Sequence, residues 1–446
     1  GLEPFGDFFI AQRGFLARYP FHWHMVGNAR GQYVKNSSIH HAYNRFITVH
    51  GTHHVKLIGN VGYDTYGHGF YLEDGIESKN VIEHNLGLMV RRAEDEKPTP
   101  SDRSPAVFWI SNPDNWVRGN VAAGSEDTGF WMGFPEHPLG LSKTDQVWPR
   151  RTPLLQFENN TSHSTNGHGL MVDNAEDDTR HTNVTWYEPR KNPADGDSPL
   201  VVPHFKNFTA YKSRYEAIWM RSSASTIVSG AKLADSYLGA FFAHLPADQY
   251  NGTGFIEDSL VVGETSNKGN PDDWEAKGPD GREIPHPWAE GDPIRGLQFY
   301  DGPMGLRRVT FANFEPRDQR RAGAIGTLLE NPFNVSSHNV AEGIRFINSN
   351  RVWEKSPSDK HSGEAFTTFT DLDGSVSGLK GARIVANNPV LLTPSCEFRS
   401  AWNAYVCPAS NEYVNLGLYT ESGENRLLDV PRVTRPGDGR KPTTEQ

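Results

Sequence analysis

The sequence predicts an all-β chain that folds as a parallel β-helix, and two observations support this fold class. First, three short segments, FHWHMVG (Phe21 to Gly27), FITVHG (Phe46 to Gly51) and FYLEDG (Phe70 to Gly75), recur roughly every 24 to 25 residues, a period typical of solenoid rungs. Second, polar and apolar residues alternate within each segment, as in a strand with one buried face. We therefore expect the three segments to stack as neighbouring parallel strands.

The same alternation continues in four later segments of the chain. The residues expected to point inward are all apolar: Phe108, Ile110, Phe130, Met132, Leu170, Val172, Ile218 and Met220. Polar, proline-containing insertions interrupt the rungs at residues 91–105, 135–153 and 174–203. Loops of this length usually carry function, so we expect long loops on one face of the β-helix.

A second series of segments carries one polar residue at a turn of each rung. The residues expected to share this position are His41, Asn60, Asn85, Asn120, Asn160 and Asn207. Stacked asparagines bond to each other and to the backbone along the axis of a solenoid. We interpret this series as structural.

The domain organisation follows from where the repeat weakens. We expect the parallel β-helix to occupy residues 1–350, final rungs and a C-terminal cap to occupy residues 351–430, and a flexible tail to occupy residues 431–446. A cap would cover the unpaired edges of the last rung. Within it, Cys396 and Cys407 are either a local disulfide, which would imply an oxidising compartment, or two buried thiols.

Composition narrows the set of partners. The formal net charge of −10 disfavours nucleic acid, whose phosphates require a basic surface. We find no apolar run of the roughly 18 residues that a membrane-spanning helix needs. The sequence starts abruptly at GLEPFGDFF, which leaves room for an N-terminal domain or a partner chain that pairs with the first rung.

The candidate site is a column of polar side chains on the outer face of the first strand series. We expect Trp23, Val49 and Leu72 to point inward, and their neighbours His24, His50 and Glu73 then point outward. Because neighbouring strands lie about 4.8 Å apart, the two imidazoles and the carboxylate would lie one above another.

This column allows three interpretations. Two imidazoles and a carboxylate suit zinc, iron or manganese, whereas calcium prefers oxygen ligands and fits this column less well. His22 lies on the same face and could be a fourth ligand, and Asp74 could replace Glu73 if the strand bulges. Without a metal, a histidine beside a carboxylate can transfer protons. A purely structural hydrogen-bonded ladder is the third interpretation.

The column next to it is aromatic and predicts a surface for sugar rings. Its members are Tyr71, Trp109, Trp131 and Trp219. Exposed aromatic rings in a row usually mark a binding surface, although long loops could also cover them. Four residues are candidates to meet the carboxylates and hydroxyls of an acidic polysaccharide: Arg91, Arg92, Arg221 and Asp173. Asp173 and Arg221 continue the column of His24 and are further catalytic candidates.

Several long motifs resemble one known family. They are RYPFHWHMVG, NSSIHHAYNRFITVHGT, NVGYDTYGHGFYLEDG, HNLGL, DLDGSVSG and WNAYVC, in that order. They are similar to the family of the cell-migration-inducing hyaluronan-binding protein, its transmembrane hyaluronidase relative and the fibrocystin-like proteins. The resemblance implies a right-handed parallel β-helix, a secreted or cell-surface setting, and calcium-dependent depolymerisation of hyaluronan. It supplies no site residue, because the family's proposed catalytic residues lie upstream of the matching motifs.

Residues and resemblance together predict an enzyme that degrades an acidic, hyaluronan-like polysaccharide outside the cell. It would be a glycoside hydrolase or a polysaccharide lyase, with the substrate lying along the outward strand face. The alternative is a carbohydrate-binding or adhesion module without turnover.

Overall fold

The computed structural model describes residues 3–5, 8–10, 19–93, 99–222, 226–244, 254–267, 293–300, 302–317, 321–327, 336–355, 368–388 and 391–413. Residues 1–413 form one compact unit, and residues 414–446 form a second unit that lies outside the described part. Three 3₁₀ turns have described bounds, Pro100–Arg103, Gly140–Ser142 and Pro149–Arg151. None of these helices is long and apolar enough to cross a membrane.

The strands are short, and we number them in chain order. The first nineteen are β1 (Glu3–Phe5), β2 (Phe8–Ile10), β3 (Phe21–Asn28), β4 (Tyr33–Lys35), β5 (Ser38–Ala42), β6 (Ile47–His53), β7 (Lys56–Ile58), β8 (Val61–Tyr66), β9 (Phe70–Leu72), β10 (Val81–Glu83), β11 (Leu86–Arg91), β12 (Ala106–Ile110), β13 (Trp116–Arg118), β14 (Val121–Ser125), β15 (Thr128–Met132), β16 (Gln156–Glu158), β17 (Thr161–Thr165), β18 (Leu170–Val172) and β19 (Ala175–Glu176). The others are β20 (Thr182–Asn183), β21 (His204–Lys206), β22 (Thr209–Ser213), β23 (Glu216–Ser222), β24 (Ile227–Ser229), β25 (Lys232–Ala234), β26 (Leu238–His244), β27 (Gly254–Glu257), β28 (Leu260–Val262), β29 (Pro293–Phe299), β30 (Met304–Arg307), β31 (Thr310–Ala312), β32 (Arg321–Thr327), β33 (Val340–Glu342), β34 (Arg345–Ile347), β35 (Thr368–Asp371), β36 (Ala382–Ala386), β37 (Glu397–Arg399) and β38 (Ala404–Cys407).

Three long sheets, parallel except at the C-terminal end of one, form the walls of a β-helix, as the sequence predicts. The sheet that carries the candidate site, here called the site sheet, has the strand order β3-β6-β9-β12-β15-β18-β23-β26-β29-β32. A second sheet runs β4-β7-β10-β13-β16-β21-β24-β27-β30-β33-β35 and ends on β36, β38 and β37. The third sheet runs β5-β8-β11-β14-β17-β22-β25-β28-β31-β34. Each rung therefore contributes one strand to each wall.

The inward face of the site sheet is the core, and the predicted alternation is confirmed. All eight residues predicted to point inward from β12, β15, β18 and β23 are at most 1% exposed, and Val49 and Leu72 are fully buried. Phenylalanine rings stack from rung to rung, with centroid distances of 4.8 Å between Phe70 and Phe108 and 4.7 Å between Phe108 and Phe130. Trp23 is only partly buried, on β3 at the edge of the sheet, and packs against this core.

The asparagine ladder is present over four rungs and ends earlier than expected. Asn60 donates from Nδ2 to Asn85 Oδ1 at 2.9 Å, and the same contact continues to Asn120 and Asn160. In the first rung the ladder position belongs to Ser37, whose N–H donates to Asn60, and His41 is four residues further on. Asn207 is also out of place, because its Nδ2 donates to Asn159.

Antiparallel strands close the C-terminal end of the second sheet. β36 pairs with β35 and β38, and β37 pairs with β38, all antiparallel. Cys396 and Cys407 form a disulfide next to this pairing. The predicted boundaries at residues 350 and 430 stay predictions, because residues 356–367 and 414–430 lie outside the described part. The predicted tail, residues 431–446, also lies there.

Candidate functional site

The predicted column forms at the first three strands of the site sheet. His24 on β3 is the register partner of His50 on β6, and their Nδ1 atoms are 3.2 Å apart. Val49 pairs with Leu72 on β9, so Glu73 follows next to His50. The Oε2 atom of Glu73 lies 3.6 Å from His50 Nδ1. Strand alternation and parallel register are sufficient to bring these three side chains together.

His22 joins the same group from β3. Its ring stacks on the His50 ring with a centroid distance of 5.9 Å and lies 5.1 Å from the His24 ring. One ring nitrogen of each of these three histidines lies within 4.8 Å of the others, as ligands of a single metal ion do. His22 is half-buried, His24 is exposed and His50 is buried, so the group lies at the boundary between solvent and protein.

Asp74 and Glu73 both face His50, although the sequence suggests that one would replace the other. β9 ends at Leu72, so the two acids follow the strand and are not bound by its alternation. Asp74 Oδ2 lies 2.7 Å from His50 Nε2. Glu73 approaches the other ring nitrogen, and His50 therefore lies between the two carboxylates.

Glu77, which sequence reasoning missed, holds this turn in place. It is fully buried and accepts hydrogen bonds from the N–H groups of Gly51 at 2.8 Å, Asp74 at 3.1 Å and Gly75 at 2.8 Å. The only local sequence signal for this role was a carboxylate three residues after Asp74, in a turn that contains Gly75. Without these bonds three buried backbone donors would lose their acceptor.

The donor set fits a transition metal better than calcium. In a tetrahedral zinc site with ligands at about 2.0–2.2 Å, neighbouring donor atoms lie roughly 3.3–3.6 Å apart. The distances of 3.2 Å and 3.6 Å from His50 Nδ1 to His24 and Glu73 are close to that spacing. Glu73 Oε2 is buried and has no hydrogen-bond partner among the described residues. Calcium prefers oxygen ligands, and most donors here are nitrogens.

Electrostatics separate the roles of the acids around His50. Burial raises the pKa of Glu73, and the nearby His50 and Arg180 only partly offset it. Burial would also raise the pKa of Asp74, but hydrogen bonds and charge from His50 and Arg180 lower it below its usual value. Burial would lower the pKa of His50, yet its bond to Asp74 and the charge of Glu73 raise it. Burial raises the pKa of Glu77 to about 7. Asp74 is therefore the acid held as a carboxylate.

Two insertions reach the site from far along the sequence. Arg180, from the insertion at residues 174–203, forms an ion pair with Asp74 and donates to Glu73 O at 3.1 Å and to Glu176 Oε2 at 3.0 Å. From the insertion at residues 135–153, Ser142 N–H donates to Asp74 Oδ2 at 3.2 Å. The sequence marked both insertions as functional loops but did not identify Arg180.

The predicted row of exposed aromatic rings is mostly covered. Tyr71 and Trp109 are each 1% exposed and Trp131 is 4% exposed, whereas Trp219 is only partly buried. Trp131 Nε1 donates to the carbonyl of Asp173 at 3.0 Å, and Arg45 Cζ lies 4.0 Å above the Tyr71 ring. The expectation of exposure is therefore wrong for the first three rings. They lie on the outward face as expected, but other parts of the chain pack over them.

The remaining candidates lie away from His50. Arg91 is on β11 of the third sheet and pairs with Asp64 at 2.6 Å. Arg92 follows it and donates from Nη2 to Glu126 O at 3.0 Å. Neither arginine lies on the strands of the site sheet that carry the aromatic row.

Asp173 and Arg221 lie on the site sheet but not in the histidine cluster. Asp173 follows β18, three strand spacings or about 14 Å from Glu73. Its Oδ2 accepts from Arg221 Nε at 2.9 Å. The two residues form a separate group.

Known proteins resemble this chain along most of its length. Residues 9–170 match the family model described as CEMIP beta-helix. The chain is 32% identical to the cell surface hyaluronidase CEMIP2 of Homo sapiens, over 95% of this chain and 34% of that protein. It is 30% identical to the cell migration-inducing and hyaluronan-binding protein of Mus musculus, over 93% of this chain and 34% of that protein. Fibrocystin-L of Mus musculus is 28% identical, over 94% of this chain and 9% of that protein. The chain thus spans about a third of the first two relatives.

Proposed function

Because the β-helix of this chain belongs to the CEMIP β-helix family, we propose that it is an enzyme that depolymerises a hyaluronan-like acidic polysaccharide outside the cell. The observation that carries the proposal is the meeting of two groups at His50, one formed with His22 and His24 and the other with Glu73 and Asp74. Relatives named hyaluronidase support the substrate class. The disulfide between Cys396 and Cys407 supports an oxidising compartment, at the cell surface or in secretion.

In the metal-assisted form of the proposal, His22, His24, His50 and Glu73 would hold zinc, iron or manganese. Such an ion would supply Lewis-acid stabilisation of negative charge on a substrate oxygen. Asp74 accepts the Nε2–H proton of His50, which selects the tautomer whose Nδ1 lone pair faces His24 and Glu73. Arg180 keeps Asp74 ionised and oriented for that task.

In the metal-free form, the same residues transfer protons. Asp74 orients His50 and stabilises its protonated form, as a carboxylate does for a catalytic imidazole. Glu73 has a raised pKa and would exchange a proton with a glycosidic oxygen or with water. Chelator treatment separates the two forms, because only the metal-assisted one loses activity.

The test is to incubate the protein with hyaluronan, chondroitin, alginate and pectin and to follow viscosity. We expect hyaluronan to lose viscosity and to gain new chain ends. Reducing ends without ultraviolet absorbance would identify a hydrolase, as the names of the relatives favour, and an absorbing unsaturated product would identify a lyase.

A second candidate function, hyaluronan binding without turnover, is favoured by one observation. One group of relatives is named for hyaluronan binding. Binding of hyaluronan without new chain ends would support this candidate and overturn the enzyme proposal.

A further inference from the structure

A second polar and aromatic group lies further along the site sheet. It consists of Asp173 after β18, Trp219 and Arg221 on β23, and Trp186 from the insertion at residues 174–203. Arg221 Cζ lies 5.1 Å from the centroid of the Trp186 ring and 5.6 Å from that of Trp219. One guanidinium is thus placed next to two indole rings.

Asp173 holds this arrangement in place. Its Oδ2 accepts from Trp219 Nε1 and from Arg221 Nε, both at 2.9 Å. Its Oδ1 accepts from the backbone N–H groups of Asn174 at 2.6 Å and Thr185 at 3.1 Å. The carboxylate is 1% exposed and has four donors. Asp173 is therefore a positioning residue and not an acid–base catalyst.

The two indoles remain partly accessible, unlike the rings closer to His50. Trp186 and Trp219 are half-buried and pack at the margin of a buried aromatic cluster. Trp219 lies 4.8 Å from the Phe241 ring and 6.1 Å from the Tyr300 ring. Rings that pack on buried residues can present their edges and open faces to a ligand without rearrangement.

Arg221 also keeps hydrogen-bonding capacity. Nε is the only one of its nitrogens that donates to a described residue, so Nη1 and Nη2 have no acceptor in that part of the chain. The Arg221 side chain is 11% exposed, and a guanidinium next to aromatic rings whose terminal N–H groups bond to no described residue is suited to a planar carboxylate.

We propose that Trp186, Trp219 and Arg221 form a binding subsite for a uronate sugar of an acidic polysaccharide, separate from the histidine cluster. The inference rests on the proposed substrate class and adds a specific recognition site for it. Arg221 binds the carboxylate through its terminal N–H groups, and the indoles pack against apolar faces of the sugar ring. Asp173 keeps Arg221 and Trp219 oriented in the absence of substrate.

The position of the subsite predicts a dependence on chain length. Arg221 lies four strand spacings, about 19 Å, from Glu73 along the same sheet. A short oligosaccharide reaches only one of the two places, whereas a long one reaches both. When one chain occupies both places at once, its apparent affinity exceeds its affinity for either place alone. Long chains therefore bind more tightly than short ones.

The experiment measures binding of hyaluronan oligosaccharides to full-length protein carrying His50→Ala, so that turnover does not interfere. Arg221→Gln is expected to weaken binding of a long oligosaccharide roughly tenfold or more, because it removes a charge-assisted contact. The same oligosaccharide with its carboxylates reduced to alcohols should bind weakly to both proteins. Trp186→Ala should weaken binding of both the native and the carboxylate-reduced oligosaccharide. Because Trp186 lies on a loop, this variant still tests the subsite if Arg221→Gln fails to fold.

Matched controls come from the second sheet. Trp116 is a half-buried tryptophan on β13, and Arg308 is an exposed arginine paired with Asp258. Trp116→Ala and Arg308→Gln should bind like the parent. Parent-like affinity for Arg221→Gln and Trp186→Ala, or no binding of hyaluronan by the parent, would overturn the subsite. Wild type that binds but releases no chain ends would overturn only the enzyme proposal.

Discussion

His50 Nε2 lies 2.7 Å from Asp74 Oδ2, while His50 Nδ1 faces His24 and Glu73. The Nε2 atom of His50 thus bonds to a buried carboxylate, and its Nδ1 atom faces the other histidines and Glu73. A carboxylate behind a histidine of this kind is the usual outer partner of a metal-binding imidazole.

Asp74→Asn should lower zinc affinity by roughly 10–100-fold, because the amide no longer fixes the His50 tautomer as a carboxylate does. The measurement is competition for zinc with a chelator of known affinity. Asp177→Asn is the control, since Asp177 is half-buried and accepts a hydrogen bond from Thr179 within the same insertion as Arg180. Unchanged zinc affinity in Asp74→Asn would show that Asp74 does not orient His50 for metal binding.

Purified wild type should contain one equivalent of zinc, iron or manganese by elemental analysis, and His50→Ala should lose it. Affinity should fall as the pH drops, because protons compete for the imidazole nitrogens, and the fall should begin above 6.5 because the pKa of His50 is raised. His40→Ala is the control, because His40 is exposed on the third sheet. Wild type without stoichiometric metal, and with activity indifferent to chelator, would leave His50 and Glu73 as proton-transfer groups.

Trp109→Ala and Trp131→Ala should each cost about 3–5 kcal/mol of unfolding free energy, as truncation of buried aromatic side chains does. Both rings are nearly fully buried, so each truncation removes packing contacts within the folded protein. Denaturant unfolding measures the loss, with half-buried Trp116→Ala as the control. Small losses in both variants would mean that the loops do not cover these rings in solution.

His68 should contribute to acid sensitivity of the fold. Burial and the charge of Arg45 lower its pKa from 6.5 to about 3, so the folded state keeps it neutral while the unfolded state binds a proton. Stability from this residue is therefore present above pH 6.5 and is lost as the pH falls towards 3. His68→Gln should lose less melting temperature between pH 7 and pH 5 than wild type does. Equal losses in both proteins would contradict this assignment.

The sequence could predict that His24, His50 and Glu73 lie together because their proximity depends on local alternation. The period of the repeat puts His24, His50 and Glu73 on successive strands, and side-chain alternation puts them on one face. Asp74 could not be placed in the same way, since strand β9 ends at Leu72 and the turn that follows is shaped by contacts with Glu77 and with distant segments.

Local sequence patterns could not predict what the insertions contribute to the site. Arg180 contacts Asp74 across 106 residues of sequence, and no periodicity connects the two. The burial of Tyr71 and Trp109 has the same origin, because their strands show only which face they occupy. Whether a distant segment covers that face depends on contacts such as the one between Ser101 and Glu176, which joins two insertions.

The release of new chain ends from hyaluronan tests the central claim most directly, with wild type, His50→Ala and His40→Ala compared at equal concentration. His40→Ala should unfold at the wild-type temperature, and His50→Ala is compared at a temperature at which it is folded, because it loses the buried bond to Asp74. The account predicts chain ends from wild type and His40→Ala, and a loss of at least roughly 100-fold in His50→Ala, the lower end of what a positioned acid–base group contributes. Full activity in a folded His50→Ala would contradict it, since the histidine cluster would then not be the site of the reaction.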